Sequence, residues 1–401
     1  MKQIFLLVLA ALLIASCAND AKQQGSLDPS GSVRFWTTRP TDALKEIAAS
    51  LPGLELSEGP KDRPWFHLLN PEAAELDLVF TEMGRDLVKA KADGTIADLS
   101  AYWNRMSASK KVWPALATSK DVYFVPSTIY LWGLFYNKEI LDSNGIKYPT
   151  SFGALESAFT ALAAKGVIPI ALGSKGDWSV FAWLSYLDIR KNGAEAHQQL
   201  LDGKRAFDDP SLTPVYATLQ KWRDSGWIDR DSGNKNWSEA LMDVQTGKAA
   251  FSLMGSFAAN RFVEPGKIRW AAVPKGGAKA GEMAVIQGFA ASSKATDLEA
   301  ALALADAFVS QSSPNLASDE FSLPSIVTKY SKEVGKEDVL STIKAEQAAV
   351  LSGAKAIVTQ MDRHLPAQTA YNVLQALRDF FDVGSAMSAS ELAAALKASN
   401  Q

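Results

Sequence analysis

The chain has 401 residues, 47% of them hydrophobic and 21% charged, with a formal net charge of −3. That length suits two domains with a core each, and the composition excludes a disordered or a membrane-spanning chain. Acids and bases are interspersed, which excludes a basic field for nucleic acid, and a single cysteine excludes disulfides and Cys-rich metal sites.

Lys2 and the apolar run Ile4–Ile14, followed by Ala15 and Ser16, read as a cleaved export signal too short to span a bilayer. Ile14-Ala15-Ser16-Cys17 resembles the bacterial lipobox, which implies removal of residues 1–16 and lipidation of Cys17. An ordinary signal peptide with an incidental cysteine is the alternative. Residues 17–32 are small, polar and turn-rich, and read as lipid anchor and flexible tether.

Val33–Trp36 then reads as a first strand, followed by a helical stretch to about Ser50. Leu76–Phe80 reads as the next strand, with a helix from Met83. This alternation predicts an α/β sheet with helices on both faces. After Tyr130–Tyr136 the chain turns helix-rich: Phe152, Leu155, Phe159 and Leu162 share a helical face, as do Val215, Leu219 and Trp222. Leu298, Ala301, Leu302, Ala305, Phe308 and Val309 form a third such stripe. Between the helices, 168–172, 249–254, 268–273 and 284–291 are strand candidates, and Tyr371–Phe381 and Ser390–Lys397 close the chain as helices.

Three segments, in order, carry a resemblance. They are Trp132–Lys138 (WGLFYNK) with Asn144-Gly145-Ile146 and Pro149-Thr150, Thr246–Phe251 leading to Met254-Gly255-Ser256-Phe257, and Gly288–Ser293. This series resembles the family 1 extracellular solute-binding proteins of ABC importers, the group containing maltose-binding protein. Phe257 stands where that family often has tryptophan, and the stretch before Leu76 is short. The resemblance implies a periplasmic-binding-protein-like α/β fold, two lobes joined by hinge segments with a ligand cleft between them. It places the N-terminal lobe at 33–130 plus 287–323 and the C-terminal lobe at 131–286 plus 324–401, with a last crossing near Leu323-Pro324. It also implies an extracytoplasmic monomer that binds a mono- or oligosaccharide for an ABC permease and needs no cofactor, and the lipobox resemblance makes the lipid its expected membrane attachment.

A sugar presents apolar C–H faces rimmed by hydroxyls, so its site needs flat rings beside carboxylate, amide or guanidinium groups. Open α/β sheets place ligands at strand ends. The ligand-binding candidates at strand ends are therefore Trp36, Thr38 and Arg39 after the first strand, Glu82 after the second, and Asp177 and Trp178 between a strand and a helix. The family resemblance implies Gly255, Ser256 and Phe257 at a turn whose aromatic often stacks on ligand, Gln287 at the second crossing, and Arg363 before the last cleft helix. Structural alternatives stand beside them: Trp36 as core, Glu82 as a helix cap, Trp178 packed on its own helix with Phe181 and Trp183, Arg363 as a surface ion-pair partner. Trp132, Trp222, Trp227 and Trp270 read as buried packing. Trp178→Ala is expected to weaken binding and leave the thermal midpoint nearly unchanged.

No catalytic or metal residue is assigned. His67, His197 and His364 lack a metal spacing, and Asp229–Asn234 starts like a calcium loop without its glycine and glutamate. A glycosidase pair of Glu82 and Asp177 is the enzymatic alternative. A polyamine, phosphodiester or iron chelate is the alternative cargo for the same fold.

Overall fold

A computed structural model describes residues 25–37, 42–69, 75–112, 122–176, 178–262, 267–275, 281–311, 356–382 and 384–399, with isolated positions between 343 and 354. The export signal, Cys17, Thr38, Arg39, Asp177 and the expected crossing at 323–324 lie outside the described residues. Among those described, no helix is long and apolar enough to cross a membrane.

The strands are β1 (Gly31–Trp36), β2 (Leu54–Glu58), β3 (Leu78–Glu82), β4 (Val125–Asn137), β5 (Ile168–Ala171), β6 (Ala249–Gly255), β7 (Ile268–Ala271), β8 (Glu282–Ala291) and β9 (Ile357–Val358). The chain divides into two compact units. Unit 1 comprises Met1–Thr128 and Ile286–Ala317; unit 2 comprises Ile129–Val285 and Ser318–Gln401. The chain passes between them inside β4 and again inside β8.

In unit 1 the order is β2-β1-β3-β8. β1 runs parallel to β2 and β3, while β8 lies antiparallel on β3 with Phe80 opposite Phe289 and Glu82 opposite Gln287. Successive strand residues face opposite sides, so the neighbours Leu78 and Val79 enter different cores. Leu78 joins Val33, Phe35, Phe289 and the stripe Ala301, Leu302, Ala305 and Val309 of the helix Leu298–Gln311. Val79 joins Trp65, Leu68, Leu76, Leu87 and Phe124 on the other face. Burial on both faces is what a parallel sheet requires.

β2 is a strand the apolar runs did not announce. Its alternating Leu54-Glu55-Leu56 half-buries the leucines against the first cluster and leaves Glu55 outside. A second difference concerns residues 25–32, expected to be tether. β1 already starts at Gly31, and Leu27 is buried in the first cluster, because an apolar side chain here finds a core to enter.

Unit 2 builds the order β5-β6-β4, with β7 also antiparallel to β4 and β9 parallel to the start of β8. β5 and β6 are parallel, which obliges the long helical crossover that lies between them in sequence. β4 is buried almost throughout, as its unbroken apolar run demands. Gly133 has no Cβ because the Trp270 ring and the Ala271 carbonyl, 2.7 Å from that position, occupy the space. Trp222 packs edge-on against Trp183 at 5.1 Å and Phe159 at 5.4 Å between ring centroids, the inner part of this core.

Candidate functional site

Aromatic side chains from four separate stretches of unit 2 meet in one group. Trp132 lies on β4 opposite Gly255, the last residue of β6. Trp178 opens a short 3-10 turn ahead of the helix Phe181–Asn192, and Phe257 sits in the 3-10 turn Ser256–Arg261 that follows β6. Trp237 is the first residue of the helix Trp237–Gln245. Ring centroids lie 5.5 Å apart for Trp132 and Trp178, 6.2 Å for Trp178 and Trp237, 6.0 Å for Trp178 and Phe257, and 5.8 Å for Trp237 and Phe257. Tyr130 completes the set, edge-on to Phe257 at 5.0 Å. Tyr130 and Trp132 are buried, whereas Trp178, Trp237 and Phe257 are half-exposed. Buried rings thus form a floor beneath rings that face solvent in part.

Each ring is held by its local chain. Asn236 and Glu239 form a reciprocal capping box, which sets the backbone direction at Trp237. The loop before Trp178 is fastened to the same segment by Ser174 N–H to the Ser232 carbonyl at 2.9 Å and Lys175 N–H to the Lys235 carbonyl at 3.0 Å. A Cβ on Gly173 would lie only 2.6 Å from the Trp237 nitrogen, so glycine permits this approach. Gly255 plays the corresponding part for Phe257, whose ring edge, with Cδ1 2.7 Å from the Cβ position, covers its α-carbon. Tyr186 donates its hydroxyl to the Trp132 carbonyl at 2.7 Å, and burial holds that phenol protonated, far above its usual range.

In unit 1 the polar candidates meet at the end of β3. The Gln287 amide donates to Glu82 Oε1 at 3.1 Å and accepts from the Thr128 hydroxyl at 3.2 Å. Gln287 is 1% exposed and both ends of its amide are engaged, so it orients Glu82 rather than presenting itself. The N-cap of the following helix, Arg85–Ala92, is Gly84, not Glu82. Trp36 packs against the second cluster of unit 1, half-buried, with its indole N–H buried and without a hydrogen-bond partner.

The remaining candidates divide. Ser256 is fully buried and its hydroxyl has no partner. Arg363 is exposed in the helix Met361–His364, 3.6 Å from Asp362, and its neighbour His364 bonds Asp202 at 3.0 Å. Trp178 contacts Trp132, Trp237 and Phe257 rather than Phe181 and Trp183. Trp237 was missed from sequence, although Asn236-Trp237-Ser238-Glu239 carries the capping-box spacing that places a ring at a helix start. Among the described residues no cluster of three His, Cys, Asp or Glu side chains has a metal-holding arrangement.

Residues 73–313 match the sequence profile of a family described as bacterial extracellular solute-binding protein. An uncharacterised ABC transporter extracellular-binding protein of Pyrococcus horikoshii is 27% identical over 200 residues, 48% of this chain and 44% of that protein. The chain therefore matches under half the length of this curated relative. A structure from work on xylan utilisation by the thermophile Caldanaerobius polysaccharolyticus superposes with a TM-score of 0.73 at 21% identity, covering 92% of this chain and 100% of the other. A bacterial solute receptor with an exclusive preference for β-D-galactopyranose also gives a TM-score of 0.73, at 17% identity over 93% and 97% of the chains. At these identities the likeness is one of fold, and the α/β fold of the periplasmic-binding-protein kind expected from sequence is borne out.

Proposed function

This chain belongs to the bacterial extracellular solute-binding protein family, and from that premise we propose that it is a lipid-anchored receptor that binds a carbohydrate and passes it to an ABC importer. The observation that carries the reading is the aromatic group of unit 2, with Trp178, Trp237 and Phe257 half-exposed above Tyr130 and Trp132. A pyranose face is apolar and polarised at its C–H bonds, so it stacks on such rings for about 0.5–1.5 kcal/mol each beyond burial. Hydroxyls at its rim need strong polar partners, each charged hydrogen bond contributing about 1.5–3 kcal/mol. Micromolar affinity requires about −8.2 kcal/mol, which a few such contacts supply after ordering costs. The sugars named for the structural neighbours support the same class of cargo.

Intrinsic tryptophan fluorescence, titrated with mono- and oligosaccharides, polyols and polyamines, tests the reading directly. A saturable change with a sugar is expected. A response to polyamines alone, or release of product from an oligosaccharide on incubation, overturns it. Gly255→Ala provides a finer test. The added methyl displaces the Phe257 ring, and losing one ring contact is expected to weaken sugar affinity roughly three- to tenfold. An unchanged titration midpoint removes Phe257 from the site.

A further inference from the structure

Gly25–Ser30 is bound to the rest of unit 1 by contacts that involve none of the candidate ligand-binding residues. Arg105 ends the 3-10 turn Trp103–Arg105 and meets Glu299, in the first turn of the helix Leu298–Gln311, through two parallel bonds of 2.7 Å. The same guanidinium donates from Nε to the Gly25 carbonyl and from Nη2 to the Ser26 carbonyl, both at 3.1 Å. Glu299 in turn accepts from the Asp28 backbone N–H at 3.3 Å. An exposed ion pair by itself contributes little, but a forked pair that also gathers backbone groups is fixed in direction.

Around this pair the segment is shaped to fit. Leu27, 8% exposed, enters the first apolar cluster of unit 1. Asp28 closes a turn by accepting from the Ser30 N–H at 2.9 Å and the Ser30 hydroxyl at 2.6 Å. Asp297 accepts from the Ser32 N–H at 3.0 Å. Gly31 is held at φ +146°, and a Cβ there would stand 2.8 Å from the Asp297 side chain, so both the backbone and the space demand glycine.

We infer that Arg105 and Glu299 form a clasp fixing the point at which the chain leaves unit 1 for the lipid, so that unit 1 is the membrane-held body of the receptor. The inference rests on the lipid-anchored reading for its membrane half and on the contacts above for the clasp. With the clasp shut, residues 18–24 are all that separates Cys17 from the folded unit, a reach of at most about 25 Å in any conformation. With it open, residues 18–30 intervene and that upper bound becomes about 45 Å. The clasp thus keeps a loaded receptor close to a permease in the same membrane.

Thermolysin cuts on the amino side of leucine, which makes Leu27 a reporter of opening. On the full mature protein, Arg105→Ala and Glu299→Gln are each expected to raise the rate of cleavage before Leu27 at least tenfold, with Arg105→Lys between them and the wild type. Amide exchange across residues 25–30 should rise in parallel, while sugar titrations stay unchanged. Equal cleavage rates in all four proteins, or wild-type exchange as fast as in an isolated peptide, overturn the clasp. The mass of the mature N-terminus separates the two halves: a lipidated Cys17 supports membrane holding, and an unmodified one overturns it whatever thermolysin shows.

Discussion

Asp188→Ala is expected to destabilise unit 2 by about 3–5 kcal/mol, the usual consequence of stranding a buried charge. Asp188 is fully buried and both its oxygens accept from Arg205 Nη1 at 2.9 Å. It also accepts from Asn192 at 2.7 Å and from His197 Nδ1 at 2.8 Å. Removing it takes from the guanidinium of Arg205, itself 7% exposed, its close buried carboxylate and leaves only the half-exposed Asp209, 3.8 Å from Nε, while His197 loses the acceptor that orients its ring. The damage reaches the site, because Asp188 shares a helix with Tyr186, whose hydroxyl supports Trp132.

The acid limb of stability carries the same signature. Burial alone would raise the Asp188 carboxyl, but the His197 hydrogen bond and the Arg205 charge outweigh it and hold the group below its ordinary value of 3.8. A depressed carboxyl contributes stability above its unfolded value and loses it as pH falls through the folded one. The wild type should therefore weaken below about pH 4, and Asp188→Asn should lose that part of the slope. Urea unfolding followed by tryptophan emission from pH 7 to pH 3 measures both effects. A loss under about 1 kcal/mol for Asp188→Ala contradicts the account.

Trp178→Ala should weaken sugar binding by about 2–3 kcal/mol, or roughly 30- to 150-fold. Its ring is the hub of the aromatic group, touching Trp132, Trp237 and Phe257. Those contacts also revise the sequence-based expectation of a nearly unchanged thermal midpoint. A half-exposed indole held against three others supports the fold as well, so the melting temperature should fall measurably. Trp183→Ala separates the two contributions. Trp183 is buried in the inner core against Trp222, and none of its ring contacts reaches the group, so its loss should lower stability with little change in affinity per folded molecule. If Trp178→Ala binds sugar like the wild type, the group is packing and the site lies elsewhere.

The amino-acid order alone determined the α/β class and most of its elements. β1, β3 and the helices Phe152–Ala163 and Leu298–Gln311 could be read because burial of one face imprints a period on the residues that bury it. β2 escaped, since a half-exposed strand of two leucines and two glutamates leaves too faint an apolar signal. Only tertiary structure decided which aromatics meet: Trp132, Trp178, Trp237 and Phe257 come from four separate stretches of chain, and periodicity carries no information about contacts that distant. It also decided that Gln287 serves Glu82 and that Leu27 belongs to a core rather than a tether. In each case the partner is remote in sequence, and a residue's role follows from the neighbour the fold brings to it.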